Sequence, residues 1–530
     1  MSILYLVVST GFFLWITRNI FFWVYLWQHN DYSYTRMYTH LKETTQGRYI
    51  LFSPVAFLKL LLIFLFAYIV LNPDFLAGYQ FLIGVLFVVQ GFSVIKEYYL
   101  HTLYLPKFTI KAMVFCISAL FIAVALYTIP LTQDRYFWLL IIDKGVLFFI
   151  TFLVFILSLP TNLYKDWYTD AAMRKLNKNK NITVIGVTGS YGKTTTKEFI
   201  AQILKNKFNV VKTQNQHNTS FGIAKTITDK VNPKTQIIVA EMAMHKRGDV
   251  REMAEIVSPK FGVITGISSQ HASLSGDISK TMDAKYELIQ SLPKDGLGLF
   301  NGNNENVYKL YKKTKKRKVL YGYQNGFPYD VKATNIHIQK SYIEFEVELR
   351  GKKMHFKSPL IGPQNIENIL PGIILADTLG MKPEEIKKAV LSLSSLPKTM
   401  RKRNTVSGAT IIDDTINTDT HAVLAALEYM KLFKNKRIFV LQPMIELGKR
   451  ASSEHYEIAK KISVVCDYLF LTNKNFYKSI LKGIVDGDGE CFVKVDSSKN
   501  IAKFLRENCS SHDVVVFEGK EAEIVLEEIL

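Results

Sequence analysis

Five apolar runs, at residues 3–27, 51–72, 76–95, 109–131 and 137–160, constrain most strongly what this 530-residue chain can fold into. Each is close to the roughly 20 residues a helix needs to cross the hydrocarbon core of a bilayer. A cleaved signal peptide explains the first run poorly, because that run is long and lacks a basic start, and it leaves the other four unexplained. The competing reading is a set of core helices buried in a soluble domain. Charge is scarce where the runs lie: residues 1–160 hold ten Lys/Arg and six Asp/Glu, against 56 and 40 in the remainder, so +16 of the net +20 lies beyond residue 160. This split excludes a purely soluble enzyme, a disordered chain and a small disulfide scaffold. Cys116, Cys466, Cys491 and Cys509 lie far apart without a CxxC pair, which indicates neither a zinc site nor a disulfide framework.

Loop charge sets the expected orientation. Arg36, Lys42 and Arg48 lie in 28–50, and Lys96 and Lys107 in 96–108, with Lys111 just beyond. Lys165, Arg174, Lys175, Lys178 and Lys180 follow the last run, whereas the alternate loops 73–75 and 132–136 carry only Arg135. Five crossings with the basic loops inside put the N-terminus outside and the charged remainder in the cytoplasm, as a multi-pass protein of the cytoplasmic membrane. Residues 161–180 read as a basic juxtamembrane linker. Arg18, Lys59 and Lys144 interrupt the runs; they either snorkel to the interface or, for Lys144 with Asp143, pair inside the bundle.

Just after that stretch, ITVIGV at 182–187 reads as a buried strand. It runs into Gly186-Val-Thr-Gly189-Ser-Tyr-Gly192-Lys193-Thr194-Thr195-Thr196 and a helical pattern from Lys197. A strand, a glycine turn, Gly-Lys-Thr and a helix make an anion site, because backbone N–H groups and the helix N-terminus face the phosphates. Lys193 then reaches the outer phosphates and the Thr194 hydroxyl ligates magnesium. The strict GxxxxGK[ST] spacing is not met, since Val187 stands five before Gly192. A glycine-rich turn without nucleotide is the bland alternative.

GVTGSYGKTTTKEFI resembles the ATP loop of the Mur ligase family, the ATP-dependent amide-forming enzymes of cell-wall peptide synthesis. Further segments follow in the family's order. Asn215-Gln-His-Asn218-Thr219 is similar to its asparagine-rich segment, and Ala240-Glu241-Met242 to its magnesium-binding glutamate. VITGISSQHA resembles the strand that leads to a metal-ligating histidine, here His271. Asp283-Ala-Lys285-Tyr-Glu287 resembles the segment whose lysine is commonly carbamylated. Asn301-Gly-Asn303-Asn304 and Gln364-Asn365-Ile-Glu-Asn368 resemble adenine-side and domain-closing segments. Met400-Arg401 and Ile412-Asp413-Asp414-Thr415-Ile416-Asn417 resemble the start of the third domain. The DDTIN segment and Met444-Ile-Glu446-Leu-Gly448, with His455 beyond, sit nearest the D-alanyl-D-alanine-adding branch.

The resemblance implies roles. ATP binds at Gly189, Ser190, Tyr191, Gly192, Lys193, Thr194 and Thr195, with Asn301, Asn365, Arg401 and Asp414 completing the site. Lys193, Lys285 and His271 act in catalysis. Magnesium is held by Thr194 and Glu241, and by His271 and Lys285 at a second ion, with Lys285 a ligand only as its carbamate. His271 equally suits orienting a carboxylate or a water, and Arg401 lies in the basic run Lys398, Arg401, Lys402, Arg403, which also suits a solvated face. The family reaction turns a carboxylate into an acyl phosphate and lets an amine displace phosphate. Carboxylate and ATP repel each other, so bound cations must cancel that repulsion.

Alternation of strands and helices through 181–395 predicts a central parallel-sheet ATPase domain. Two-residue alternation at 328–360 adds an antiparallel hairpin, and a helical pair near 365–394 follows. From 396 a second, Rossmann-like α/β domain is expected, with strands at 409–413, 437–441, 468–472, 491–495 and 513–518. The expected architecture is thus a five-helix membrane bundle (1–160), a linker (161–180) and two α/β domains (181–395 and 396–530).

Two features depart from the family. The apolar runs stand where the family carries its UDP-sugar-binding domain, so the carboxylate partner is expected to be lipid-linked or polymeric. Asn417-Thr-Asp-Thr420 and Glu518-Gly-Lys520-Glu521 replace elements that help to bind the incoming amine, leaving an amino acid or a dipeptide open. The basic run from Lys309 to Lys318 lacks a nucleic-acid recognition module beside it, and no nucleic acid is expected. A polyglutamate-type synthase and, in another class, an ATPase-driven transporter component are the competing functions.

Overall fold

The computed structural model describes residues 3–30, 32–43, 49–50, 53–100, 102–129, 134–214, 217–244, 246–268, 278–404, 408–416, 418–444, 447 and 450–530. They form two compact units, 1–164 and 165–530.

In the first unit, five helices are long and apolar enough to cross a membrane: Ile3–His29, Pro54–Leu71, Pro73–Tyr99, Ile110–Thr128 and Arg135–Lys178. Ser53 and Thr109 cap two of them by accepting the N–H of Ala56 and of Ala112. The outward faces are apolar, with Phe64, Phe81, Phe121 and Phe148 exposed. The helices Ile3–His29 and Pro73–Tyr99 approach closely because glycine faces glycine: a Cβ on Gly91 would lie 2.7 Å from the Gly11 Cα. Small residues at such a crossing let two backbones pack where water offers no driving force.

The interior charges pair, though not as the sequence suggested. Lys59 is buried and its Nζ lies 2.8 Å from Asp143 Oδ2, while Trp15 Nε1 and Asn19 Nδ2 donate to Asp143 Oδ1 at 2.8 and 2.9 Å. Neighbouring residues on a helix point about 100° apart, so Asp143 turns to the bundle and Lys144 does not share its partner. Arg18 likewise pairs with Glu97 at 3.0 Å and does not reach to the interface alone.

The stretch 161–180, expected as a basic juxtamembrane linker, is helical to Lys178. The helix Arg135–Lys178 runs through it, and the second unit begins at Lys165. Within the second unit, Tyr168, Ala172 and Leu176 stand four residues apart on one helix face and pack with Ile223, Ile227 and Ile238. Lys175 Nζ donates to the Thr228 carbonyl at 2.7 Å. That apolar stripe is what ties the helix end down.

The second unit carries two sheets. The nine-stranded sheet has the order β2-β3-β1-β4-β5-β6-β7-β8-β9. Its strands are β1 Thr183–Thr188, β2 Val210–Lys212, β3 Ile237–Glu241, β4 Phe261–Ile264, β5 Leu297–Asn301, β6 Lys318–Gly322, β7 Val331–Ile338, β8 Ile343–Leu349 and β9 Lys352–Ser358. Pairings from β2 through to β7 are parallel, and β7-β8-β9 is an antiparallel meander of three strands where the sequence suggested a hairpin. β1, β3 and β4 are mostly apolar and, apart from Thr183 at the start of β1, buried, as parallel strands covered on both faces must be.

The second sheet has the order β10-β11-β15-β12-β13-β14, with β10 Arg401–Asn404, β11 Thr410–Asp414, β12 Arg437–Leu441, β13 Tyr468–Leu471, β14 Phe492–Val495 and β15 Val514–Glu518. All neighbours are parallel except β10. The five expected strands are present, and β10 is an addition. Its basic residues Arg401, Lys402 and Arg403 look like a solvated loop, yet an edge strand with one partner tolerates such side chains.

Candidate active site

The site begins where β1 ends. Gly192 takes a left-handed φ of +73° immediately before the helix Lys193–Leu204, a turn that favours glycine. Ser190 is held on both sides: its N–H donates to the Gly266 carbonyl at 2.6 Å and its Oγ accepts the Ser268 N–H at 3.2 Å. The Thr265 hydroxyl donates to the Tyr191 carbonyl. β4 thereby fixes the shape of the loop that follows β1.

Two lysines converge on this loop. Lys193 Nζ donates to the Ser190 carbonyl at 3.1 Å, and the buried Lys285, from the helix Ile278–Gln290, donates to the Gly189 carbonyl at 2.7 Å. Burial lowers both amines from the usual lysine range, against the pull of Glu241 and Asp419 on Lys193. Lys285 falls well below it, because burial and then the charge of Lys193 both disfavour its ammonium. Lys193, held by a carbonyl beside a helix N-terminus, is a ready counter-charge for phosphates, so the residues present fit ATP.

On the other side, Glu241 ends β3 and is 3% exposed. Its Oε2 accepts Thr194 Oγ1 at 3.0 Å and faces Lys197 Nζ at 3.3 Å, while Oε1 accepts Asn218 Nδ2 at 3.3 Å. The Thr213 hydroxyl fixes the Glu241 N–H at 3.0 Å. A threonine hydroxyl and a carboxylate are hard oxygen donors suited to magnesium. Among the described residues no group of three or more His, Cys, Asp or Glu side chains forms a metal cage. His271, Asn215, Asn417, Glu446 and Gly448 lie outside the described residues.

A third cluster holds the expected adenine-side segment. Asn301 donates to Glu367 Oε2, and His421 Nε2 lies 2.7 Å from Glu367 Oε1. His421 also stacks on Tyr191, with ring centroids 4.5 Å apart, and Asn304 Nδ2 donates to the Tyr191 hydroxyl at 3.1 Å. Burial opposes charge on both partners, but their attraction prevails: Glu367 is held below its ordinary range and His421 above. Sequence reading overlooked Glu367 and His421 as site residues. Neither sits in a glycine turn or at the end of a strand, and only the fold shows them meeting.

Other expected residues fall differently. Thr195 is buried in the first turn of the helix. Asn365 is buried and bonds the Ile361 carbonyl at 2.7 Å; the residue of that segment that reaches the loop is Asn368, whose Oδ1 accepts Thr196 Oγ1 at 3.0 Å. Arg401 is exposed on β10, and it is Arg403 that pairs with Asp413 at 3.1 Å. Asp414 is buried at the end of β11, accepts the Met400 N–H at 3.2 Å, and is in register with the buried Glu518 of β15.

Burial pushes Asp414 up to about 7, against the Met400 N–H, with Asp419 and Asp413 adding to the rise. Because the folded value exceeds that of the unfolded chain, its contribution to stability is complete below about pH 4 and is lost as pH rises through about 7. Asp414→Asn is therefore expected to flatten this loss, by on the order of 2 kcal/mol between pH 5 and 8. Thermal midpoints across that range check it, and equal slopes in the two proteins would refute the assignment.

These features define a class: α/β proteins whose parallel-sheet domain carries an anion-binding loop suited to ATP, followed by a second α/β sheet. The Mur ligase middle domain matches residues 187–376, and the Mur ligase glutamate ligase domain matches 398–521. The chain belongs to the Mur ligase family. The UDP-N-acetylmuramoyl-tripeptide–D-alanyl-D-alanine ligase of Bacillus subtilis is 28% identical over 358 residues, 66% of this chain and 75% of that protein. The ligase of the same name from Synechocystis is 32% identical over 295 residues, 55% of this chain and 62% of that one. Among solved structures, the MurF ligase of Thermotoga maritima in complex with ADP superposes with a TM-score of 0.62 at 26% identity, covering 69% of this chain and 83% of that one. MurF of Acinetobacter baumannii shares the fold at a TM-score of 0.62 and 20% identity.

Proposed function

We propose that this chain is a membrane-anchored ligase that activates a carboxylate as an acyl phosphate and couples it to an amine in cell-wall precursor synthesis. The observation that carries the reading is the convergence of Lys193, Lys285, Thr194 and Glu241 on one loop, in a chain that also has five membrane-length helices. The basic loops favour an outside N-terminus and a cytoplasmic catalytic unit. Lys193 binds the transferring phosphoryl group, and Thr194 and Glu241 hold magnesium, which supplies charge neutralisation when bound. Lys285, as a neutral amine, adds to carbon dioxide with loss of a proton and becomes an anionic ligand. A carboxylate oxygen of the first substrate bonds to the γ-phosphorus as ADP leaves; the amine nitrogen then bonds to the acyl carbon as phosphate leaves and a proton is released. Closure of the C-terminal domain, through His421 against Glu367 and Tyr191, keeps water from the acyl phosphate.

The names of the relatives make a muramoyl-tripeptide carboxylate and D-alanyl-D-alanine the first candidates. The apolar helices favour a membrane-bound form of the carboxylate, whose local concentration anchoring would raise. Membranes containing the chain, given candidate carboxylates with amino acids or dipeptides, should release ADP and form a product heavier by the amine less water. Deleting 1–160 should spare ATP binding and lower turnover of a lipid-linked carboxylate by about tenfold or more. Equal use of a soluble UDP-linked carboxylate by both forms, with no turnover of the lipid-linked one, would overturn the membrane-substrate part.

A further inference from the structure

Lys197 stands one turn beyond Lys193 on the same helix and is completely buried. Its Nζ lies 3.3 Å from Glu241 Oε2 and 3.5 Å from Glu198 Oε1, and Glu198 is in turn paired with Lys212. An ammonium therefore occupies one flank of the oxygen to which Thr194 also points. Placing a buried cation against a metal-ligating carboxylate is electrostatically unfavourable for the metal. A buried charge pair is also weak evidence of a purely stabilising role. Lys193, Lys197 and Lys212 face the two carboxylates Glu198 and Glu241, so a free divalent ion meets no net negative charge here.

We propose that Lys197 is a positioning residue that acts through Glu241: its ammonium holds the carboxylate aimed at the Thr194 hydroxyl and withholds it from free divalent cations, so that metal enters only together with the phosphates of the nucleotide. The proposal rests on the reading of Glu241 as a metal ligand. With ATP bound, the phosphates reverse the sign of the local charge and the metal can share Glu241, while Lys197 keeps Glu198 as its counter-charge. The fold thus couples metal occupancy to nucleotide occupancy without a second acidic side chain.

The test is manganese binding by the full chain in detergent, read from the loss of the free-ion electron paramagnetic resonance signal, with and without ADP. The unmodified chain is expected to take up manganese only in the presence of ADP. Lys197→Gln keeps a hydrogen-bond donor but removes the charge; it should bind the free ion about tenfold more tightly than the unmodified chain, with the KM for magnesium changed more than kcat. Lys197→Arg should restore nucleotide-dependent uptake. A neutral variant that binds the free ion no better, or an unmodified chain that binds it at submillimolar concentration without nucleotide, would overturn the proposal. The second arm holds even if the glutamine variant fails to fold. A Glu241→Gln chain with unchanged manganese uptake in the presence of ADP would instead refute the metal-ligand reading itself.

Discussion

Lys193→Ala is expected to lower kcat/KM about a thousandfold or more, roughly 4 kcal/mol of transition-state stabilisation, and to weaken ATP binding while leaving the chain folded. The loss follows from its position at the first residue of the helix, beside the loop carbonyl of Ser190. There it meets charge spreading over the phosphoryl oxygens. The fold should survive, because the amine donates to a loop carbonyl and to no core group among the described residues, and its removal relieves repulsion on Lys285. Isothermal titration with ATP and steady-state ADP release measure the two effects. Unchanged affinity and rate in a folded variant would remove the loop from the site.

Lys285→Ala should lower ligase turnover by about two orders of magnitude or more, and a small anion such as chloride should restore part of it. Burial and then the charge of Lys193 both favour the neutral amine, which is the form that reacts with carbon dioxide. Carbon-13 spectra with labelled bicarbonate should show a carbamate in the unmodified chain and none in Lys285→Ala. Lys285→Arg should be as inactive as the alanine variant, since a guanidinium stays charged. Full activity without Lys285, or an absent carbamate signal in an active enzyme, would refute the role. Because burial holds the folded amine below the value of the unfolded one, it opposes folding below the ordinary lysine range, and that cost shrinks as pH rises.

Much of the fold was legible locally. The apolar runs, the β1–loop–helix unit and the alternation of strands and helices are periodic patterns within one segment, and each element forms close to its expected place. The loop lysine, Thr194 and Glu241 were legible for the same reason: each lies at the end of a strand or the start of a helix, where a parallel sheet gathers ligand-binding residues. Asn365 and Arg401 show the limit. Both lie in segments with the expected motif, yet the helix phase turns Asn368 to the loop, and β10 leaves Arg401 exposed.

By itself, then, the sequence determined the membrane-length helices, the anion-binding turn and the excess of positive charge, because hydropathy, glycine placement and net charge are properties of a chain before it folds. Only the tertiary structure decided which charges meet: Lys59 with Asp143, Lys197 with Glu241, His421 with Glu367, and Lys285 with the carbonyl of Gly189. Two of these pairs lie more than 40 residues apart and the other two more than 80, as do many contacts that strand order and helix packing create. Local periodicity carries no information on which distant segment becomes the neighbour, and a side chain's charge state follows from that neighbour.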